Sequence, residues 1–225
     1  MHPLAILQAM AVYRSGHAVR GEGSWTPSAK VLDALDAAFY AAFANVEPTG
    51  KRHLIALDVS GSMGAQFGGS VLTCREATAA LALVTMAVEP ATHVVGFTAA
   101  GASGGPAALT VLGISPGQRL TDAVAAVSNL PFGGTDCSLP MLYALEKRLQ
   151  VDAFVVLTDN ETWAGRIHPV EALRQYRSKS GVRAKLVVVG MTSTGFSIAD
   201  PDDGGMLDVV GFDAAAPSVI ADFVR

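Results

Sequence analysis

Short apolar runs alternate with segments of helical periodicity along most of this chain. The runs at 54–57, 92–97, 152–157 and 184–189 are largely apolar, which is typical of strands buried on both faces of a parallel sheet. Shorter runs at 108–112 and 207–211 predict a short edge strand and a last short strand. The alternation predicts an α/β, Rossmann-like doubly wound fold, with a mainly parallel sheet and helices on both faces.

Helical spacing of apolar residues fills the segments between these runs. The predicted helices lie at 3–13, 26–45, 70–88, from 115 onward, and at 139–149, 169–180 and 217–224. The helix at 70–88 is apolar nearly all round, which predicts a buried position. We expect residues 1–50 to form a helical lead-in docked on a main domain of residues 51–225.

Composition narrows the class of protein. Half of the 225 residues are apolar and 23 are glycine, which favours a compact fold over disorder. A net charge of −4 does not suit a chain that grips a polyanion over a broad face. No apolar run approaches the roughly 20 residues that cross a bilayer, so we expect no membrane partner.

The ends and the cysteines suggest a compartment. The amino terminus lacks the pattern of a secretory signal, and Cys74 and Cys137 do not have the paired spacing of a metal site. Two free thiols are typical of a cytoplasmic protein, which is the location we expect. Without a signal sequence, the glycosylation acceptor at 160–162 is interpreted as accidental.

The stretch 53–63 carries the first candidate chemistry. A buried strand ends in Asp58, and Ser60 and Ser62 follow at alternate positions, so an extended turn can aim all three side chains the same way. Three hard oxygen donors suit Mg²⁺ or Mn²⁺. The same residue types are also ordinary turn and helix-capping residues, so this stretch alone leaves both readings open.

Two further segments offer oxygen donors, namely Thr135 with Asp136 and Thr158 with Asp159. In a doubly wound sheet, loops at the carboxyl ends of the strands emerge on one edge, where ligands bind. We therefore expect these donors to meet those that follow the first strand. Asp136 just precedes Ser138, so a helix cap is preferred for it over contact with a metal-bound water.

Taken together, these motifs resemble the von Willebrand factor A (vWA) domain over residues 51–225. They are Asp-x-Ser-x-Ser after the first strand, a Gly-Gly-Thr-Asp loop, and an apolar strand that ends in Thr-Asp. The resemblance implies a metal-ion-dependent adhesion site in which Ser60, Ser62 and Thr135 bind the ion directly. Asp58 and Asp159 would act mostly through waters and hydroxyls.

Such a ligand set has a chemical consequence. Hydroxyl ligands carry no full charge, so the ion stays electrophilic, and one coordination position is expected to remain open. An acidic protein or a phosphate ligand would bind there through the metal.

Stretches across the whole chain also resemble the carboxyl-terminal part of the Ro autoantigen family. They are 2–3, 13–20, 32–40, 46–51, 133–138, 158–162, 190–193 and 198–203. The resemblance implies binding of small noncoding Y RNAs and defective RNA ends, in RNA quality control and stress survival. In that family a ring of helical repeats does most of this binding, and residues 1–50 would be only its tail. We do not expect strong RNA binding by this sequence alone.

The remaining charged residues have plainer interpretations. A basic cluster is interpreted as a solvated helix face, with contact to a phosphate backbone as the minor alternative; it comprises Arg166, Arg174, Arg177, Lys179, Arg183 and Lys185. His168 is interpreted as a loop residue, whereas His53 and His93 are expected near strand starts. No histidine pair has the ligand spacing of a zinc site.

Other functions fit the sequence less well. A metal-dependent phosphoester hydrolase of the haloacid dehalogenase type needs a second aspartate where Ser60 stands. The chain has no Walker nucleotide motif, and Val59-Ser60-Gly61 does not fit a nucleophile elbow. Binding is therefore predicted rather than catalysis, so we expect no enzyme. An interaction scaffold with a purely structural metal is the remaining alternative.

Overall fold

The structure of the protein is a computed structural model that describes residues 1–98, 108–128, 130, 134–159, 165–192, 197–211 and 215–225. Its helices are α1 (Pro3–Ser15), α2 (Ala29–Ala41), α3 (Cys74–Val88), α4 (Leu120–Ser128), α5 (Leu139–Glu146), α6 (Pro169–Ser180) and α7 (Ala216–Val224). Its strands are β1 (Arg52–Asp58), β2 (Ala91–Thr98), β3 (Ala108–Val111), β4 (Ala153–Thr158), β5 (Lys185–Gly190) and β6 (Met206–Val210). Short 3₁₀ helices span Ala42–Asn45 and Gly61–Gly64.

The strands form one sheet in the order β3-β2-β1-β4-β5-β6. All neighbouring strands are parallel except β2 and β3, which pair antiparallel; β3 is an edge strand. The predicted mainly parallel sheet is therefore confirmed. β1 lies between β2 and β4. From this central strand the chain builds the sheet first towards one edge and then, starting at β4, towards the other. The carboxyl ends of β1 and β4 consequently adjoin, which is where a doubly wound sheet places its ligand site.

Each face of the sheet has its own hydrophobic core. Ile55 and Leu57 of β1 point into a core shared with α1, α2, α3, α4 and α7. Leu54 and Ala56 point to the other face, where α5 and α6 cover the sheet. Alternate residues of a buried strand thus serve both cores. Because Leu4, Leu7 and Phe39 belong to the first core, α1 and α2 pack on the sheet-bearing part of the chain.

Several helices begin later than their sequence predicted. The helix expected from 70 begins at Cys74, because Thr73 and Glu76 form a capping box across its first turn. Glu76 N donates to Thr73 Oγ1 (3.1 Å), and Thr73 N donates to Glu76 Oε2 (2.8 Å). Likewise, α2 starts at Ala29 rather than at Thr26-Pro27, and α4 starts at Leu120 rather than at Ser115.

The cysteines, the membrane expectation and the glycosylation acceptor are the remaining predicted features. Both cysteines are free and buried. No helix in the described part of the chain combines the length and apolarity that crossing a membrane requires. The glycosylation acceptor at 160–162 and the glycine-rich segment 99–107 lie outside the described residues.

Candidate metal centre

Asp58 is the centre of the site at the carboxyl end of β1. Its side chain is fully buried, and its Oδ1 accepts a hydrogen bond from the backbone N–H of Ser60 (2.8 Å). This bond folds the chain back immediately after the strand. The hydroxyls of Ser60 and Ser62 then lie side by side, with their Oγ atoms 3.0 Å apart. The expected extended turn ends at Ser60, because a 3₁₀ helix begins at Gly61 and places the Ser62 hydroxyl beside that of Ser60.

Two threonines from distant parts of the chain reach the same carboxylate. Thr135 Oγ1 donates to Asp58 Oδ2 (3.1 Å), and Thr158 Oγ1 donates to the same oxygen (2.8 Å). Thr98, the last residue of β2, donates through Oγ1 to the carbonyl of Gly134 (3.2 Å) and anchors the loop that carries Thr135. The ends of β1, β2 and β4 thus bring these hydroxyls to one buried carboxylate.

Asp159 lies beside this group. Its Oδ1 is 3.5 Å from Thr158 Oγ1, and its backbone carbonyl accepts a hydrogen bond from Thr192 Oγ1 (2.7 Å). The half-buried carboxylate therefore adds a second negative charge near Asp58. The described contacts do not bring it into a hydrogen bond with Ser60, Ser62 or Thr135.

Electrostatics at the centre favour a cation. Burial raises the pKa of Asp58, the charge of Asp159 raises it further, and hydrogen bonds from Ser60 and Thr158 act in the opposite direction. Burial, and then the charges of Asp159 and Asp58, raise the pKa of the nearby Cys74 thiol to about 11. The thiol is therefore neutral at physiological pH. A positive ion would offset the cost of keeping an ionised Asp58 away from water.

The donor set fits a small hard ion. Mg²⁺ holds six oxygens at roughly 2.0–2.1 Å, so neighbouring ligand oxygens lie about 2.9 Å apart. The Ser60–Ser62 spacing of 3.0 Å matches that value and is also an ordinary hydrogen-bond length. Because the Thr135 hydroxyl gives its proton to Asp58, its lone pairs are available to a cation.

Histidine, cysteine and carboxylate clusters do not compete with this site. Within the described ranges, no three such residues come together in a way that could hold a metal ion. An ion at the end of β1 would therefore depend on serine and threonine oxygens, as magnesium and manganese accept but zinc seldom does.

Asp136 shapes the loop next to Thr135. It is buried, and its Oδ1 accepts hydrogen bonds from the backbone N–H (3.0 Å) and the hydroxyl (2.6 Å) of Ser138. These bonds form a turn just before α5. The N-cap of α5 is Ser138 and has no side-chain cap hydrogen bond, so Asp136 lies in the preceding turn rather than in the expected helix cap. Gly165 packs directly over the carboxylate, and a Cβ at Gly165 would lie 2.6 Å from its atoms. Gly165 thus packs against the segment that carries Thr135.

Sequence reasoning missed three contributors to this centre. The sequence predicts Thr158 as a donor at a strand end but not as a partner of Asp58, and no sequence pattern singles out Thr98. Arg75 was also overlooked, although its Nη2 donates to the carbonyl of Ser60 (3.1 Å). One signal was available for Arg75, because a basic residue in the first turn of a helix opposes the helix dipole. Placing the start of α3 near Ser70 concealed it.

Two of the six residues of the basic cluster pair with an acidic loop. Arg174 pairs with Asp200 (2.8 Å), and Arg177 pairs with Asp203 (2.5 Å). Lys185 donates through Nζ to the carbonyl of Phe223. Half of the cluster therefore has intramolecular partners, which leaves less of its charge for a phosphate backbone and favours the solvated helix face.

The histidines occupy the expected places. His53 is the second residue of β1 and His93 the third of β2. His168 precedes α6 directly and caps it, because its Nδ1 accepts a hydrogen bond from Val170 N (3.3 Å).

Comparison with known proteins finds relatives over the whole chain. A family model described as the Ro60 vWA domain matches residues 52–224. The chain is 50% identical over 227 residues to the RNA-binding protein RO60 of Deinococcus radiodurans, covering 100% of this chain and 41% of that protein. It is 44% identical over 225 residues to the RNA-binding protein RO60 of Caenorhabditis elegans, covering 100% of this chain and 34% of that protein.

A solved structure extends the comparison to three dimensions. The crystal structure of the Deinococcus radiodurans RO (RSR) protein superposes with a TM-score of 0.91 at 50% identity. The match covers 100% of this chain and 44% of that one. The chain thus spans less than half the length of the relatives it matches.

Proposed function

This chain belongs to the Ro60 vWA domain family, and from that premise we propose that it is a divalent-cation-dependent ligand-binding module of a Ro60-type RNA-binding protein. The observation that supports the metal dependence is the convergence of hydroxyls from separate loops on the buried carboxylate of Asp58. Ser60, Ser62 and Thr135 would hold Mg²⁺ or Mn²⁺ directly, and Asp58 and Asp159 would act through waters and hydroxyls. The ion would supply a Lewis-acidic position for an anionic oxygen.

Each residue then has a distinct task. Asp58 orients the hydroxyl of Thr135 and the backbone of Ser60, so that their oxygens share one side of the loop. Thr158 holds the Asp58 carboxylate in place from β4. The carboxylate or phosphate oxygen of an acidic partner would bind at the open position.

The domain division is part of the proposal. Residues 51–225 would form the vWA domain, which the family match over 52–224 supports. Residues 1–50, with α1 and α2, would be the end of the helical ring module. Binding of Y RNA and misfolded RNA, RNA quality control and stress survival would then belong to the intact protein, mainly through that ring. The two free cysteines support a cytoplasmic location.

The metal dependence is tested by calorimetric titration with Mn²⁺ and with Mg²⁺. We expect the wild type to bind either ion, and S60A or T135A to bind it at least about tenfold more weakly, because each loses a ligand oxygen. Ser115 is an exposed serine outside the site, so S115A is the matched control. A wild type that binds no ion, or S60A that binds as S115A does, would contradict the proposal.

The ligand role is tested separately with the Mn²⁺-loaded protein. Titration with acetate and with inorganic phosphate should displace metal-bound water, which is read as a fall in the water-proton relaxation rate. If both anions leave the relaxation unchanged while the ion raises the melting temperature, the metal is a structural staple. Metal-dependent turnover of a phosphate ester would instead favour the hydrolase, although the names of both curated relatives describe RNA binding.

A further inference from the structure

Arg75 holds the peptide group that joins the two candidate serine ligands. Its Nη2 donates to the carbonyl oxygen of Ser60 at 3.1 Å. That carbonyl belongs to the peptide bond between Ser60 and Gly61, and a peptide group is planar and rigid. The contact therefore fixes the orientation of the whole group that leads from Ser60 towards Ser62.

Gly61 joins the two serines and is the first residue of the 3₁₀ helix Gly61–Gly64. Outside its own turn of chain, no heavy atom lies within 4 Å of the place that a Cβ would occupy, so no neighbouring side chain packs there. Hydrogen bonds restrain its neighbours instead. Ser60 N donates to Asp58, and the Ser62 carbonyl accepts from Ala65 N (2.9 Å). Without Arg75, the Ser60 carbonyl would keep only the longer contact from Met63 N (3.3 Å) among the bonds described.

Its charge alone does not explain the presence of Arg75 beside a cation site. It is the second residue of α3, where the helix dipole favours anions and disfavours cations. It also adds positive charge to the loop that is proposed to receive a metal ion, which can only weaken the ion's attraction. The charge of Arg75 would therefore weaken metal binding rather than strengthen it. Any favourable effect of Arg75 on the site must come from the way it positions the loop.

We propose that Arg75 is a positioning residue of the metal site, which keeps the Ser60 and Ser62 hydroxyls at their ligand spacing by immobilising the Ser60–Gly61 peptide group. This inference rests on the proposed metal-binding function. It assigns Arg75 no contact with the ion. The loop is then held from one side by an anion, Asp58, and from the other by a cation.

The first test is the variant R75Q, titrated with Mn²⁺ by calorimetry. We expect about tenfold weaker binding, as is typical when a residue that orients metal ligands is lost. A role through charge alone predicts the opposite, since removing a cation should tighten binding. R119Q is the matched control, because it makes the same charge change at an exposed arginine that pairs with Asp36. R75Q that binds Mn²⁺ as R119Q does, or more tightly, overturns the proposal.

The second test separates positioning from general destabilisation. G61A should fold normally, because its Cβ meets no atom and Gly61 does not have a positive φ. Alanine stiffens the joint, so we expect the loss caused by R75Q to be at least threefold smaller in the G61A background. If R75Q weakens Mn²⁺ binding equally with glycine and with alanine at position 61, then Arg75 does not act by restraining Gly61.

The outcomes also distinguish this inference from the proposed function. If the wild type binds no Mn²⁺, the metal site itself is wrong. If the wild type binds and S60A does not, while R75Q is unaffected, only the role of Arg75 is wrong. Melting temperatures recorded in EDTA show whether R75Q remains folded, so weaker Mn²⁺ binding by folded protein supports the proposal.

Discussion

Replacing Asp58 by asparagine should stabilise the metal-free protein while abolishing its metal binding. The side chain is fully buried, and burial raises its pKa, so the ionised form costs free energy in the absence of a cation. Asparagine can keep the hydrogen bonds. Its Oδ1 can accept from Ser60 N, and its Nδ2 can donate to the hydroxyls of Thr135 and Thr158, which accept as well as donate.

The magnitude follows from two opposing effects. Burying an ion costs several kcal/mol after relaxation, taken here as about 5 kcal/mol. Each of the hydrogen bonds from Ser60, Thr135 and Thr158 weakens by about 1 kcal/mol when its acceptor loses the charge, which together is about 3 kcal/mol. The net stabilisation is therefore about 2 kcal/mol. For a chain of this size, each kcal/mol corresponds to about 2–4 °C, so the melting temperature should rise by about 4–8 °C.

The assay is thermal and urea denaturation of wild type and D58N in EDTA, repeated with Mn²⁺. Wild type should gain stability with the ion, whereas D58N should be more stable without it and should gain nothing. D159N is the control, because its carboxylate is half-buried and its removal should change metal-free stability less. A metal-free D58N that melts below wild type would refute the reasoning about the buried charge.

The first of three further expectations concerns the site, and the other two concern the opposite, amino-terminal edge of β4. G165A should lower the free energy of unfolding by about 1–3 kcal/mol, measured by urea denaturation, and should weaken Mn²⁺ binding, measured by calorimetry. The new Cβ would clash with Asp136, and the backbone φ of +106° is unfavourable for alanine. G181A is the control for the backbone conformation alone, because Gly181 has a φ of +73° and open space around it. The hydrogen bond from Arg52 lowers the pKa of Asp152 in the folded protein. The ionised Asp152 therefore stabilises the folded state above its unfolded pKa of about 3.9, and this stabilisation disappears as the pH falls through the lower pKa of the folded state. D152N should therefore be less stable than wild type at pH 7, and the difference should narrow below about pH 4; an unchanged difference would contradict this. Y176F should lower the free energy of unfolding by about 1–3 kcal/mol in urea denaturation. The buried Tyr176 hydroxyl donates to Leu149 O (2.7 Å) and accepts from Val151 N (2.7 Å), and both bonds would be lost. Y143F is the control and should be near neutral, because the Tyr143 hydroxyl has no such described bonds.

The sequence determined the architecture because local patterns carry it. The apolar run at 54–57 has to be buried on both faces, and such strands separated by helices have few solutions other than a doubly wound sheet. The order of the chemical groups was also readable, since Asp58, Ser60 and Ser62 follow a strand directly. The boundaries were less accurate, because the start of α3 depends on the reciprocal bonds of Thr73 and Glu76 rather than on hydrophobic spacing.

Only the tertiary structure decided which residues meet. Thr158 is 100 positions from Asp58 and Thr135 is 77 positions away, yet both donate to the same carboxylate oxygen. Arg75 reaches the Ser60 carbonyl from another element, and Gly165 approaches Asp136 where no Cβ could fit. Hydrophobic periodicity reports which face of an element is buried, whereas these contacts depend on the relative placement of strand ends, which the packing of the whole sheet sets.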